Sequence, residues 1–107
     1  MEDKQEILQA LIDSNQLNRY FHADVLPDRI PLRMIKGPWY EEGIRLTKFG
    51  QPVQFIADVK VKEPYLDVMA MEFSEGRATL RFRYPPEGLA GNVTLEKDQQ
   101  RWIVQSL

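Results

Sequence analysis

The sequence predicts an α+β fold in which one N-terminal amphipathic helix packs on a curved, mostly antiparallel β-meander of about five to six strands. Two observations carry this prediction. Apolar residues recur at helical spacing between residues 3 and 15, and they alternate with polar residues along most of the chain after residue 53. The 107 residues suit a single domain, residues 1–107, with a hydrophobic core of its own.

The first element is predicted to be a helix over residues 3–15. Its apolar stripe consists of Ile7, Leu8, Leu11 and Ile12. Asp3 and Glu6 have the spacing of a capping box at its start. A helix of this length is marginal alone in water, so we expect the stripe to dock on the sheet.

Residues 16–29 allow two interpretations. Leu17, Tyr20 and Phe21 continue a helical face, whereas Phe21, Ala23 and Val25 have the alternation of a strand. Both interpretations stay open at the level of sequence.

Strands are predicted from the alternation of apolar and polar side chains in the rest of the chain. They are expected over residues 30–34, 44–47, 53–61, 65–73, 78–84, 93–96 and 102–104. Pro31 places the first strand at a sheet edge, because proline cannot donate to a ladder.

The turn at Glu75-Gly76 predicts the register of one hairpin. A two-residue turn there sets Phe73 opposite Ala78 and Met71 opposite Leu80, so that apolar side chains face each other.

A two-residue turn at residues 98–99 is predicted to close the last hairpin. It would set Leu95 opposite Trp102 and Glu96 opposite Arg101. We expect this meander to be the most firmly specified part of the fold, because a one-residue slip would undo all these pairings.

Composition excludes several kinds of site. There is no cysteine, which rules out disulfides, cysteine-bound zinc and thiol nucleophiles. His22 is the only histidine and the glycines are scattered, so we expect neither a metal nor a cofactor. A net charge of −2 gives no basic footprint for nucleic acid, and no apolar run is long enough to span a membrane. The acidic, polar N-terminal sequence predicts a cytoplasmic location unless a leader was removed.

One candidate binding surface is the outer face of the predicted sheet. Four apolar residues point away from the predicted inner face of the central strands: Ile56, Leu66, Val68 and Ala70. Arg81 lies at their rim. An apolar patch with a charged rim is typical of an interface with a protein partner or with a second copy of the chain. The alternative is that the helix or residues 16–50 cover this face.

The second candidate is a small-molecule pocket around Asp67. In the predicted register Asp67 faces the core with Tyr65 and lies across from Tyr84. A carboxylate in that position could act as an acid or base. The alternative is that Asp67 lies near the end of its strand and reaches water.

Three smaller features complete the set of candidates. Trp39 and Tyr40 follow a turn and could stack on a ligand or anchor a partner, or Trp39 could fold back to plug the core. His22 and Asp24 could form an acid–base pair, with a solvated loop histidine as the alternative. The arginines after Gly76 alternate with aromatic residues, so they lie on the opposite face and cannot share a nucleic-acid ligand with them.

The terminal hairpin, residues 93–104, resembles that of NTF2-like and other cystatin-like α+β domains. In those families a tryptophan, here Trp102, follows a polar turn, and a helix packs on a curved antiparallel sheet. The chain offers one clear helix where NTF2-like domains have about three. The resemblance implies a helix-on-sheet fold with a possible pocket, and it assigns no catalytic residue.

The sequence therefore favours a non-catalytic interaction module, using the outer sheet face, over an enzyme. The alternative function is a small-ligand or enzymatic pocket with Asp67 as its acid or base.

Overall fold

The computed structural model of the chain describes residues 2–14, 17, 31–57, 65–85, 88–99 and 101–106. These residues contain one helix followed by eight strands. In chain order the elements are α1 (Glu2–Asp13), β1 (Arg33–Ile35), β2 (Thr47–Lys48), β3 (Gln51–Pro52), β4 (Gln54–Ile56), β5 (Asp67–Ser74), β6 (Arg77–Tyr84), β7 (Leu89–Asp98) and β8 (Arg101–Ser106). The α+β class with an N-terminal helix and mostly antiparallel strands is thus confirmed.

Helix α1 forms as its apolar spacing predicts. All four side chains of its stripe, Ile7, Leu8, Leu11 and Ile12, are fully buried. Burial of each such side chain stabilises the fold by about 1.5–3 kcal/mol. The helix packs mainly against β8. At its first turn, the indole Nε1 of Trp102 and the Nζ of Lys97 both donate to Oδ1 of Asp3.

Strands β5 to β8 form an antiparallel meander in the order β5-β6-β7-β8. The predicted register of the β5–β6 hairpin is confirmed, with Phe73 opposite Ala78 and Met71 opposite Leu80. Gly76 adopts a positive φ of 76°, which the tight turn requires and glycine allows without strain.

The predicted register of the last hairpin is wrong. Asp98 pairs with Arg101, so Leu95 lies opposite Val104 and Trp102 lies opposite Lys97. The turn lies one residue later than predicted, because a run of polar residues without glycine does not mark its position. The residue opposite each position of β7 therefore differs from the predicted one by two residues. Because side chains of a strand alternate with a period of two, Trp102 still faces the core.

The first half of the chain forms shorter strands than predicted. Strand β1 pairs in parallel with β4, and backbone hydrogen bonds of 2.8 and 3.1 Å join it to Leu66, next to the start of β5. Strands β2 and β3 form a small antiparallel hairpin. Of the predicted strand 53–61 the structure shows only β4, and residues 58–61 lie outside the described part.

Side-chain amides of α1 hold the start of β2 and the segment before it. Gln9 donates from Nε2 to the Thr47 carbonyl at 2.9 Å and accepts from the Thr47 N–H at 3.0 Å. Gln5 accepts from the Arg45 N–H at 2.9 Å. These contacts satisfy backbone groups of Arg45 and Thr47, while Ile44 and Leu46 insert into the core.

The structure leaves one prediction about the chain's middle unanswered. The choice between helix and strand for residues 16–29 lies outside the described residues, apart from Leu17, which is fully buried.

Candidate functional site

A β-bulge in β5 sets the geometry of the candidate surfaces. Val68 pairs with Phe82 and Ala70 pairs with Arg81, so Met69 is an extra residue without a partner on β6. The bulge exchanges the two faces of the strand. Before it the even-numbered residues face the core, and after it the odd-numbered residues do.

The predicted outward orientation of Leu66 and Val68 is wrong. Both are fully buried, because they precede the bulge and face the core. The strand therefore has a single apolar face. It looked apolar on both faces in the sequence because the extra residue Met69 shifts the alternation by one position. Of the predicted interface, Ala70 and Arg81 are exposed, and Ile56 is half-buried in β4, outside the four-stranded sheet.

Asp67 is buried, with 9% of its surface exposed, but the bulge moves it away from the predicted position across from Tyr84. Its cross-strand partner is Arg83, whereas Tyr84 is buried on the opposite face. The Nε of Arg83 donates to Oδ2 of Asp67 at 2.9 Å, and this hydrogen bond raises the pKa of Arg83. The guanidinium carbon of Arg83 lies 6.0 Å from the centre of the Tyr65 ring. Asp67 and Tyr65 are therefore brought together by an arginine that the sequence reasoning had not assigned to them.

The sheet face directed away from α1, here called the outer face, presents mostly polar side chains from all four strands. Nearly all of them are exposed: Ala70, Glu72, Arg77, Thr79, Arg81, Arg83, Ala90, Asn92, Glu96, Arg101 and Ile103. On β6 the predicted alternation is confirmed, with exposed arginines and buried aromatic side chains.

The three arginines of β6 differ in their surroundings. Arg77 forms an ion pair with Glu96 across the strands at 3.8 Å, and Arg83 is held by Asp67. Arg81 has Ala70 on one side and Asn92 on the other, and no ion pair joins it to another described residue. Its guanidinium therefore lies in the middle of the outer face without an ion-pair partner in the part of the chain that the structure describes.

Trp39 lies in the core rather than on the surface. It is buried, and its Nε1 donates to the Val68 carbonyl at 2.7 Å. This location fits the interpretation of Trp39 as a plug. Tyr40 is half-buried, with its ring centre 5.2 Å from that of Phe55 and the Lys36 ammonium 4.9 Å above it.

A groove that the sequence did not indicate lies between α1 and the edge strand β8. It is open to solvent and encloses about 600 Å³. One wall is the C-terminal end of the helix, with Ala10 and Asp13, and the other wall is residues 101–104. The only signal in the sequence is that β8 is the last strand of a meander and so lies at an edge.

Other kinds of site are not seen in the part of the chain that the structure describes. No group of three or more His, Cys, Asp or Glu side chains there could hold a metal ion. The helical segments found in that part are too short and too polar to cross a bilayer. His22 and Asp24, the predicted acid–base pair, lie outside the described residues.

Comparisons with protein-family models, with curated proteins and with solved structures find no significant match to this chain.

Proposed function

We propose that the domain is a non-catalytic protein-binding module whose outer face contacts an acidic segment of its partner. The observation that supports this function is Arg81, an exposed cation in the middle of the sheet without a counter-ion among the described residues.

The neighbours of Arg81 suit it for recognition. Ala70 and Asn92 lie directly across the strands and carry no charge. Arginine presents a planar fork of donors that binds a carboxylate through two parallel hydrogen bonds. A Glu or Asp of a partner can reach this fork without displacing an existing ion pair, which is not so at Arg77 or Arg83.

The structure changes which residues belong to the proposed interface. Leu66 and Val68 contribute to the core, so the contact surface centres on Arg81 and Ala70 with the neighbouring residues of β7. The surface is mostly polar, as in many transient protein interfaces.

The test is a titration with a short glutamate-rich peptide, followed by the amide chemical shifts of the ¹⁵N-labelled protein. We expect shifts confined to the outer face and binding that weakens with added salt, because exposed charges are screened. Arg81→Gln should weaken binding about fivefold, the effect of losing one exposed charge pair.

The matched control is Arg77→Gln on the same strand, where the side chain is already paired with Glu96. Its effect on peptide affinity should be smaller than that of Arg81→Gln. Equal effects of the two variants, or shifts that cluster away from the outer face, would refute the proposal. A polar uncharged peptide of the same length shows whether the acidic groups are needed.

Other predictions from the sequence stay predictions. They are a small-molecule site at Tyr65 and Asp67, the cystatin-like or NTF2-like roll, the cytoplasmic location and the exclusion of nucleic acid as a partner. Any ligand at Tyr65 and Asp67 would also meet Arg83.

A further inference from the structure

Strand β5 has a free edge after its bulge. Leu66, just before β5, bonds to β1, whereas the regular segment from Ala70 to Ser74 has β6 as its one described partner strand. On the other side of β6, the Lys97 N–H donates at 2.9 Å to the carbonyl of Gly76, which lies opposite it just before β6. Because hydrogen-bonded pairs alternate, the even-numbered residues of β6 bond to β7 and the odd-numbered residues bond to β5.

Two residues of this segment therefore have peptide groups that point away from the sheet. The partners of the odd-numbered β6 residues are Ala70, Glu72 and Ser74, which bond to β6. The N–H and C=O groups of Met71 and Phe73 lie on the opposite side, and no hydrogen bond joins them to another described residue. This row of peptide groups, here called the β5 edge, is a template for a further strand.

Open clefts border the β5 edge on both faces of the sheet. Phe73 is 40% exposed, even though its cross-strand neighbour Ala78 is buried in the core. It lines a cleft of about 430 Å³ on the α1 side, together with Trp102. A cleft of about 310 Å³ on the outer face is lined by Glu72 and Thr79. Side chains of an added strand alternate between the two faces, so each cleft can take every second one.

The charge beside the β5 edge is negative. Glu72 and Glu75 are exposed, and neither forms an ion pair within the described part of the chain. Arg77, which lines the outer cleft with Glu72, is already paired with Glu96. Pairing with a second copy centred on Glu72 would set this carboxylate opposite itself, which is unfavourable. The charges therefore favour a basic partner over a second copy of the chain.

We propose that the β5 edge binds an extended basic segment of a partner protein, which adds to the sheet as a further antiparallel strand. The apolar side chains of this segment contact Phe73 in the cleft on the α1 side, where Lys97 is already paired with Asp3. Its basic side chains alternate to the outer face and pair with Glu72. The residues opposite Met71 and Phe73 carry the apolar side chains and supply the backbone hydrogen bonds.

The test uses a blocked synthetic peptide in which lysine and valine alternate, added to ¹⁵N-labelled protein. Hydrogen exchange of the Met71 and Phe73 amides should slow about tenfold in the complex, because both N–H groups gain an acceptor. The amides of Ala70 and Glu72, already bonded to β6, should change less. A peptide with glutamate in place of lysine should not slow the exchange of Met71 and Phe73.

Methylation of the peptide's own amides separates strand addition from attraction of charge. In the antiparallel arrangement the valine N–H groups face β5 and the lysine N–H groups face away. N-methylated valines should therefore abolish the slowing of exchange, whereas N-methylated lysines should preserve it. Equal effects of the two modifications would refute strand addition.

A pair of variants tests the contribution of charge. Glu72→Gln should weaken peptide affinity about threefold, the effect of losing one exposed charge pair. Glu42→Gln is the matched control, since Glu42 is an exposed carboxylate outside the four-stranded sheet. Equal effects of the two variants, or unchanged exchange at Met71 and Phe73, would overturn the proposal.

Protection of the same two amides by dimer formation of the protein alone would also overturn it, because a second copy would then occupy the β5 edge. The basic peptide and the β5 amides do not report on the acidic peptide at Arg81, so the two proposals fail separately.

Discussion

Gly37 occupies a place where any side chain would collide with a buried hydrogen bond. A Cβ atom there would lie 2.5 Å from Nε1 of Trp39 and 2.7 Å from the carbonyl oxygen of Val68. These are the two atoms that form the bond holding Trp39 against β5. Glycine at this position is therefore required by close packing and not by its backbone angles.

Gly37→Ala should destabilise the domain by about 2 kcal/mol, because the buried indole N–H loses its acceptor. The free energy of unfolding in urea measures this loss. Gly91→Ala is the control, since its Cβ would lie 3.8 Å from Phe82, an ordinary contact. A Gly37→Ala protein as stable as the Gly91→Ala protein would contradict the argument.

Among the elements, the β5–β6 hairpin could be predicted because alternation and a turn glycine agree. The bulge in β5 could not be predicted. Residues 65–73 are apolar at most positions, so the pattern of polarity does not show where the inward face changes. The errors at Leu66, Val68 and Asp67 all follow from this one extra residue. Arg83 was missed for the same reason, since it lies opposite Asp67 only when the bulge is counted.

Gln9 of α1 forms two hydrogen bonds with the backbone of Thr47 at the start of β2. Gln9→Ala should expose the Thr47 amide to solvent and accelerate its hydrogen exchange about tenfold, because the acceptor of that N–H is lost. Exchange followed by NMR at neutral pH measures the effect.

Glu6→Ala is the control for Gln9→Ala, as an exposed residue of the same helix. It should leave the exchange of the Thr47 amide unchanged. An equal acceleration in both variants would mean that helix stability, and not the amide contact, protects Thr47.

At the scale of the whole molecule, an ion pair links α1 to the segment between β1 and β2. Nζ of Lys4 in α1 lies 2.6 Å from Oε1 of Glu41, and this hydrogen bond and charge lower the pKa of Glu41 below its ordinary 4.5. A lowered carboxyl pKa means that folding favours the ionised form. Its contribution to stability is present above pH 4.5 and disappears as the pH falls through the lowered pKa.

Glu41→Gln should therefore lower stability at neutral pH but not in acid. Urea unfolding of both proteins from about pH 7 to about pH 3 would show the difference in unfolding free energy shrinking towards zero. Glu42→Gln is the control, because Glu42 is exposed and forms no ion pair with another described residue. A pH-independent difference for Glu41→Gln would show that the ion pair is not its cause.

The overall class followed from sequence because one periodic helix and several alternating strands are local features. The parallel pairing of β1 with β4 did not follow, since it joins strands of three residues separated by 18 in sequence (Met34 with Phe55 is one pair). The candidate site was predicted in part: Ala70 and Arg81 are exposed as expected, whereas the groove at β8 depends on the docking of α1, which no local pattern encodes.

The bulge at Met69 makes β5 sensitive to the length of the chain. Removing Met69 would restore strict alternation, turning Leu66 and Val68 away from the core and Asp67 towards it. Exchanging the partly exposed Met69 for another side chain leaves the alternation as it is. We therefore expect the fold to tolerate substitutions of Met69 and not its deletion, because the strand needs a residue at this position and not a particular side chain.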